Sequence, residues 1–235
     1  YLSKNGPERE RYSDPDASWG HRSAVSTRKG GGFYGYKLHA AVCSKTGLPL
    51  AWRIETARSN DGPFAEPLLD AVIARGFNPI TCAMDKGYDA VRFHEAFDAR
   101  KCVAIIPLKQ PLNVKTRPSI NDTPRCEHGF WTFAGADFKR HAAKWSCPAG
   151  ECQPKSKWVK GSRRNPLIPR DSKRWRDLYR GRAAVEREFG RLKHEYGLAP
   201  LRVRGIERVA LHADLTMLAR LSLALARARA LPLAA

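Results

Sequence analysis

The sequence predicts a mixed α/β fold in which helices cover a sheet, and three observations lead to this prediction. Two runs rich in aromatic and apolar residues, at 33–43 and 48–55, flank a Lys-Thr-Gly turn and predict an antiparallel hairpin. Two short apolar runs, at 80–85 and 102–107, are of the length and composition of buried strands. The order hairpin, helix, strand, helix, strand is typical of a mixed sheet flanked by helices.

Helices are predicted between and after these strands. Asn60-Asp61 supplies a capping side chain for a helix that Gly76 closes, and residues 89–100 carry apolar side chains at helical spacing. Towards the C-terminus a long helix begins at Ser172, and a last helix runs from about Glu207 to Arg229. These segments supply the helical layers of the predicted fold.

One domain with an insertion accounts for the whole length. A chain of 235 residues with 43% hydrophobic content is long enough to bury a core. One segment changes character, with Pro, Lys, Trp and Gly but little helical period, and we interpret it as an inserted subdomain rich in loops and short strands. The predicted division is a basic polar arm at 1–31, the first part of the main domain at 32–107, the insertion at 108–170 and a C-terminal helical part at 171–235.

The charge of the chain indicates an anionic partner. Lys and Arg number 42 against 23 Asp and Glu, which gives a formal charge of +19, and double-stranded DNA is the natural candidate. Arg220, Arg227 and Arg229 interrupt the apolar C-terminal stretch, so we predict no membrane span. The start of the sequence has no apolar signal core, and we expect a cytoplasmic protein.

Four polar residues in the long C-terminal segment form a regular pattern. On one continuous helix, Tyr179, Arg182, Glu186 and Lys193 would lie within an arc of about 60°. A carboxylate flanked by a phenol and two cations on one helix face indicates a site that handles phosphates. The alternative is an ordinary surface helix whose Arg and Glu side chains pair at i,i+4 spacing.

A second carboxylate stands at the end of a predicted strand. Asp85 follows the apolar run at 80–84 and opens the sequence Asp-Lys-Gly-Tyr-Asp at 85–89. Ligands of mixed α/β folds usually bind at the carboxyl ends of the strands. The alternative is an Asp that merely begins a turn.

Five local motifs together resemble the DDE transposases of bacterial insertion sequences. The resemblance covers Ser13–Val103 and Trp175–Leu221, and its motifs lie at 13–20, 35–39, 46–51, 85–89 and 185–193. It implies a ribonuclease-H-like fold in which three carboxylates hold two divalent ions, Mg²⁺ or Mn²⁺. It also implies DNA cleavage and strand transfer at the ends of a mobile element, by a homodimer that binds those ends and the target DNA.

The resemblance assigns a role to each of the residues singled out above. Asp85 would be the second acidic metal ligand and Glu186 the third. Arg182 and Lys193 would hold phosphates or flanking DNA, and Tyr179 would pack against the strand end. Paired metals suit this chemistry because they neutralise the phosphodiester and activate the attacking water or 3′ hydroxyl.

The first acidic ligand is absent from its expected place. The family carries an Asp-x-Thr or Asp-x-Ser strand before the hairpin, and only Asp14 and Asp16 are nearby, in a loop with Pro15. We therefore expect the first strand to lie upstream of Tyr1. Two alternatives follow, a DNA-binding remnant of a transposase without catalysis and a nuclease that hydrolyses DNA without joining strands.

The six cysteines fall into two groups. Cys43, Cys82 and Cys102 lie in apolar runs and are expected to be small buried residues. The others lie in polar sequence beside a histidine and form a candidate structural Zn²⁺ site, with His141 as a competing ligand: Cys126, His128, Cys147 and Cys152. Their spacing is not a standard zinc pattern, and unpaired structural cysteines are the alternative.

Three tryptophans of the insertion are interleaved with Lys and Arg. Trp131, Trp145 and Trp158 could stack on DNA bases, as aromatic side chains do in proteins that bind single strands. The alternative is that they form a small core for the insertion.

Overall fold

The computed structural model describes residues 14–22, 29–109 and 123–230. Of the predicted arm at 1–31, residues 1–13 and 23–28 lie outside the described residues. The described residues form five α-helices, α1 Ala65–Ala74, α2 Val91–Ala99, α3 Lys173–Arg180, α4 Ala183–His194 and α5 Ile206–Ala230. Their strands are β1 Ser18–Arg22, β2 Gly31–Val42, β3 Pro49–Thr56, β4 Thr81–Ala83, β5 Val103–Ile105, β6 Arg125–Cys126, β7 Gly129–Phe130, β8 Thr132–Asp137, β9 Ala142–Ser146 and β10 Ser156–Lys160.

The chain divides into two compact units. The first unit comprises residues 1–77 and 183–235, and the second unit comprises residues 78–182. Both contain helices and strands, so the predicted mixed α/β class is confirmed. The domain boundaries predicted from composition, including the insertion at 108–170, stay a prediction.

A three-stranded antiparallel sheet in the order β1-β2-β3 forms the first unit's sheet. β2 and β3 are the predicted hairpin, and they pair from Tyr36 opposite Thr56 to Val42 opposite Pro49. Gly47 closes the turn with φ +70°, a left-handed conformation that glycine adopts at little cost. The two runs rich in aromatic and apolar residues around the Lys-Thr-Gly turn were sufficient to predict this pair.

β1 lies inside the segment that the sequence predicted as an arm. Its five residues pair antiparallel with β2, with Ser18 opposite Gly35 and Arg22 opposite Gly31. The strand contains Gly20 and no run of apolar residues, so the sequence pattern did not indicate it. Gly20 is required by packing, because a Cβ at this position would lie 2.6 Å from the carbonyl oxygen of Ala57.

α1 begins later than predicted and without the predicted cap. A short 3₁₀ turn, Gly62–Phe64, precedes it, and the Asp61 side chain makes no capping hydrogen bond among the described residues. Asp61 instead lies 3.6 Å from Lys37 Nζ and 3.7 Å from His39 Nδ1 on the hairpin. The predicted cap is therefore wrong, because Asp61 lies beside Lys37 and His39 of β2 instead.

The core of the first unit lies between the hairpin and the two C-terminal helices. Leu192 of α4 and Ala213 and Met217 of α5 are fully buried, and Trp52 and Ile54 of β3 pack against them. Trp52 also donates its indole N–H to Asp214 of α5 at 2.7 Å. The amphipathic faces of α4 and α5 thus cover one side of the sheet.

α5 is long and apolar enough to cross a membrane by length and composition alone. Its 25 residues include an 18-residue window of mean hydropathy 1.4, although 28% of that window is buried inside the protein. Ala213 and Met217 belong to the core cluster, and Arg220 is buried against α4. One side of α5 thus packs on the core of the first unit.

The second unit contains a parallel pair of strands flanked by helices. β4 and β5 lie within the two predicted strand runs and pair in parallel, with Thr81 opposite Val103 and Ala83 opposite Ile105. β5 is buried as predicted, whereas β4 is half-buried. α2 connects them and packs on β5. The core around β5 combines Ile105, Leu167 and Ile168 with Trp175 of α3.

The remainder of the second unit is built from short antiparallel strands. β8, β9 and β10 form a three-stranded sheet, and β6 and β7 form a minimal hairpin. Trp131 and Trp145 are buried in a small cluster with Ala143, whereas Trp158 on β10 is 48% exposed. Two of the three tryptophans are core residues, and only Trp158 presents its ring to solvent.

Candidate functional site

Asp85 is exposed at the carboxyl end of the parallel strand pair. One residue separates it from β4, and that residue, Met84, still donates its backbone N–H to Ile105 of β5. The Asp85 side chain caps the next 3₁₀ turn, where its Oδ1 accepts the backbone N–H of Gly87 at 2.7 Å. Within the described residues Oδ2 accepts no hydrogen bond, so one carboxylate oxygen faces solvent and can bind a cation.

Gly87 is the residue that permits this arrangement. A Cβ at this position would lie 2.8 Å from Asp85 Oδ1, closer than real Cβ atoms approach an oxygen. A larger residue would therefore displace the carboxylate or break its hydrogen bond. The Asp-Lys-Gly sequence fixes the direction of the Asp85 side chain.

Asp89, the last residue of the same motif, has a different environment. Its side chain is fully buried, accepts two hydrogen bonds from Arg163 at 2.9 and 2.6 Å, and accepts a third from the backbone N–H of Lys109 at 2.6 Å. Burial alone would raise the pKa of Asp89, but the Arg163 and Lys109 hydrogen bonds outweigh it and lower that pKa. Asp89 is thus a structural anion, and Asp85 is the accessible carboxylate of the motif.

The long helix predicted from Ser172 is interrupted, which corrects the prediction of one continuous helix face. α3 ends at Arg180, residues 181 and 182 form a turn, and α4 begins at Ala183. The N–H groups of Gly181 and Arg182 bond three residues back, to Leu178 and Tyr179, which tightens the end of α3. Tyr179 therefore lies on α3, Arg182 in the turn, and Glu186 and Lys193 on α4.

Tyr179 is held by its aromatic ring. It stacks on Trp175 with ring centroids 5.0 Å apart and an interplanar angle of 15°. Both rings pack on the core cluster around β5, which also includes Ala83 of β4. This position is compatible with a residue that supports the strand ends.

Glu186 lies on the outer face of the first turn of α4. Its side chain is exposed, as is Lys193 two turns further on, and Arg182 is half-buried in the preceding turn. At about 100° per residue, Glu186 and Lys193 still share one face of α4, since seven residues span nearly two turns. Two of the four residues predicted to share one helix face, Glu186 and Lys193, therefore do so on α4.

Glu188, two residues after Glu186, is buried and paired. It is 1% exposed, and its two oxygens accept hydrogen bonds from Arg220 Nε at 2.7 Å and Nη2 at 3.3 Å. Arg191 approaches to 3.6 Å. Glu188 thus joins α4 to α5 as a buried ion pair, whereas the Glu186 side chain is exposed.

Asp14 and Asp16, the weak candidates for a first metal ligand, are bound to the start of α5. Asp14 Oδ1 accepts the Tyr36 hydroxyl at 2.8 Å and the Gly205 N–H at 3.2 Å, and Asp16 Oδ2 accepts the Ile206 N–H at 3.0 Å. Carboxylates at a helix N-terminus satisfy its unpaired N–H groups and complement its dipole. These contacts give both residues a structural role.

Three of the four predicted zinc ligands come together in the second unit. The sulfur atoms of Cys126, Cys147 and Cys152 all lie within 4.8 Å of one another. His128 is outside this group; its Nε2 lies 3.3 Å from Glu127 and 3.7 Å from Glu151. The competing His141 lies 3.1 Å from Asp98.

The thiols of this cluster interact strongly with one another. Burial raises the pKa of Cys147, but hydrogen bonds to its sulfur from Cys152 and from backbone N–H groups outweigh this and lower the pKa to about 6. The Cys152 thiol donates in its side-chain hydrogen bond to Cys147. This bond is the largest cause that raises the pKa of Cys152 to about 12. The arrangement favours one thiolate, on Cys147, surrounded by donors.

The sequence did not indicate the buried partners Asp89, Arg163, Glu188 and Arg220. Both arginines are distant from their carboxylates in sequence, by 74 and 32 residues. One local signal was present, because Arg220 stands within the apolar repeat of α5, where a charge needs a partner. The carboxylate that it binds could not be chosen from spacing alone.

Comparison with known protein families identifies the class of the chain. Residues 7–222 match the family described as the transposase DDE domain. This match covers most of the sequence, so the chain belongs to the transposase DDE domain family. Neither a curated protein nor a solved structure matches it significantly.

Family membership carries general consequences for this chain. Transposase DDE domains act on DNA and generally use divalent metal ions. The charge of +19 agrees with an anionic partner.

Proposed function

We propose that this chain is the domain of an insertion-sequence transposase that cleaves DNA and joins strands at the ends of the element. Asp85 and Glu186 are two of its metal ligands in this proposal, within a ribonuclease-H-like fold. The observation that carries it concerns the two acidic motifs. In each, the exposed carboxylate is the one that the resemblance to the family assigns to the metal, whereas the other carboxylate is buried and bound by an arginine.

The donors suit magnesium or manganese. Carboxylate oxygens on exposed positions are the ligands that Mg²⁺ prefers, since this ion keeps several waters and binds substrate phosphates in its remaining positions. When bound, such ions neutralise the charge of the phosphodiester and activate the attacking oxygen. The resemblance to the family, and not a distance, assigns Asp85 and Glu186 to one site.

The residues around the carboxylates have roles that their positions support. The Gly87 N–H orients Asp85 by binding one of its oxygens. Little further side-chain freedom is therefore lost when the other oxygen binds a metal ion. Lys193 and Arg182 supply cations for phosphates of the DNA flanking the cleaved bond. Tyr179 maintains the packing beneath the strand ends through its stack on Trp175.

The test is a cleavage and strand-transfer assay with the full-length protein and DNA that carries the ends of its element. Asp85→Asn and Glu186→Gln remove a metal ligand with little change in shape, and each is expected to abolish Mg²⁺- or Mn²⁺-dependent cleavage. Glu95→Gln, at an exposed position of α2, is the control for loss of one carboxylate. Wild-type cleavage by either site variant would disprove the assignment.

The products distinguish the remaining alternatives. Strand joining in addition to cleavage identifies a transposase, whereas cleavage alone indicates a hydrolytic nuclease. Salt-sensitive DNA binding without metal-dependent cleavage in the wild type would identify a DNA-binding remnant.

A further inference from the structure

Three cysteines from separate segments of the second unit converge on one point. Cys126 ends β6, Cys147 follows β9, and Cys152 lies in the loop between β9 and β10. Their sulfur atoms lie within 4.8 Å of one another, and the Cys126 and Cys147 sulfurs are 3.9 Å apart. Such convergence of three thiols needs a chemical explanation, since their spacing in the sequence is irregular.

The distances fit a tetrahedral metal better than a disulfide. A disulfide requires sulfurs at about 2.05 Å and would leave one of three thiols unpaired. Two thiolates on a tetrahedral Zn²⁺, with Zn–S of about 2.3 Å, lie about 3.8 Å apart. The separation of 3.9 Å between Cys126 and Cys147 is close to this value.

The backbone of one loop brings two of the three thiols together. The sequence Cys-Pro-Ala-Gly-Glu-Cys at 147–152 forms a turn in which Gly150 has φ +73° and donates its N–H to the Cys147 carbonyl. This turn returns the chain so that the Cys152 sulfur lies within 4.8 Å of the Cys147 sulfur. Two ligands from one short loop are a common arrangement in structural zinc sites.

The segments that carry the three cysteines have few other contacts of regular structure to hold them together. The β6–β7 hairpin has only two residues in each strand, and the loop at 147–155 has no strand of its own. The apolar core beside them is small, with Trp131, Ala143 and Trp145 as its main buried members. Small units with little core are commonly stabilised by a bound metal.

We propose that this cluster is a structural Zn²⁺ site in which Cys126, Cys147 and Cys152 are thiolate ligands and His128 is the fourth ligand. His128 lies in the hairpin turn directly after Cys126, and its Nε2 is 3.7 Å from Glu151, the neighbour of Cys152. Rotation of its side chain is needed to bring a ring nitrogen to the sulfurs. The Nε2 atom of His141 lies 3.1 Å from Asp98 of α2, and His141 does not follow a cysteine in the hairpin as His128 does.

The site lies outside the proposed metal-dependent chemistry and does not depend on it. Thiolates select zinc, whereas carboxylate oxygens select magnesium. Its zinc content can therefore be measured on protein with no catalytic activity.

The test combines metal analysis with cysteine protection. The full-length protein, purified and dialysed into a Mg²⁺ buffer, is expected to retain about one Zn²⁺ per chain by mass spectrometry of its metals. Replacement by Co²⁺ is expected to give the intense thiolate-to-cobalt charge-transfer absorption of a tetrahedral site. Absence of both zinc and this absorption would overturn the proposal.

Alkylation of the folded wild-type protein locates the site without any variant. With zinc bound, Cys126, Cys147 and Cys152 are expected to resist an alkylating reagent, and a strong chelator should expose all three while the modification of Cys43 stays constant. Equal modification with and without the chelator would refute the site.

Three variants complete the test. Cys147→Ser is expected to lose zinc, and Cys43→Ser, a cysteine of the first unit, to keep it. His128→Ala is expected to release zinc to a chelator at lower chelator concentration than the wild type. Unchanged zinc retention by Cys147→Ser would overturn the site, and unchanged retention by His128→Ala would overturn His128 as the ligand.

Discussion

Asp85 and Asp89 stand four residues apart in a turn of the second unit, while Glu186 and Glu188 stand two apart on a helix of the first unit. In both regions one carboxylate is exposed and the other is buried against an arginine. The 3₁₀ turn at 86–88 separates the two aspartates, and helix rotation separates the two glutamates, since two residues turn the side chain by about 200°. Each of these acidic motifs thus contains an exposed carboxylate and a buried, paired one.

The difference between the two regions lies in how the accessible carboxylate is positioned. Asp85 is oriented by the N–H of Gly87 two residues later. Glu186 is oriented by the helix itself, which Glu188 and Arg220 attach to α5. Local backbone geometry is decisive in the first case and tertiary packing in the second.

The largest expected change in stability comes from Glu188→Ala. Removal of one partner leaves Arg220 buried without its counter-charge, and breaking a buried pair in this way costs about 3–5 kcal/mol of the free energy of unfolding. Denaturant-induced unfolding measures this change. The control Glu186→Ala is expected to alter it by less than about 0.5 kcal/mol.

A double variant sharpens this prediction. Glu188→Met with Arg220→Met removes both charges and should recover most of the lost stability, because apolar side chains of similar volume can replace a buried ion pair. A double variant as unstable as Glu188→Ala would show that the ion pair is not the cause.

Asp89 is expected to link stability to pH. Its pKa in the folded protein is lowered, chiefly through Arg163, below the value of about 3.9 in an unfolded chain. The ionised form therefore stabilises the fold fully above that pH, and the contribution is lost as the pH falls through the folded-state pKa. Stability measured from pH 6 downwards should fall more steeply in the wild type than in Asp89→Asn; parallel curves would contradict this role.

Asp16→Ala is expected to have a smaller effect. It removes the carboxylate that accepts the Ile206 N–H at the start of α5, and loss of such a cap costs about 1 kcal/mol. Thermal unfolding measures the loss, and DNA cleavage should stay at the wild-type level. A large loss of cleavage with unchanged stability would instead make Asp16 a metal ligand.

The smallest effect is expected from Lys193→Gln. If Lys193 contacts a phosphate, the variant should bind DNA more weakly at all sequences and lower the slope of log affinity against log salt by about 1. Lys45→Gln, an exposed lysine in the β2–β3 turn, is the matched control. Equal slopes for the wild type and Lys193→Gln would remove this residue from the DNA interface.

The elements that the sequence predicted well are those whose signals are local. The hairpin follows from two runs rich in aromatic and apolar residues around a Lys-Thr-Gly turn, and β4 and β5 follow from short apolar runs with Gly or Pro beside them. The break between α3 and α4 was missed because Gly181 stands in a segment whose helical periodicity continues on both sides, and an isolated glycine is compatible with a helix.

The parts that could not be predicted depend on partners distant in sequence. Asp14 and Asp16 were correctly placed in a loop, but their bonds to Gly205 and Ile206 span about 190 residues. Asp89 is distinguished from Asp85 by burial and by hydrogen bonds from Arg163 and Lys109, which are 74 and 20 residues away. The three cysteines converge through the pairing of short strands, which irregular spacing conceals.

The most direct test of the central claim is the metal-dependent cleavage rate per folded molecule for four variants, Asp85→Asn, Asp89→Asn, Glu186→Gln and Glu188→Gln. Loss of a metal ligand removes several kcal/mol of transition-state stabilisation, so Asp85→Asn and Glu186→Gln should be slower by about 10³-fold or more and unfold like the wild type. Asp89→Asn and Glu188→Gln should be less stable and keep cleavage within about tenfold of the wild type. Cleavage at the wild-type rate by Asp85→Asn or Glu186→Gln would contradict the account.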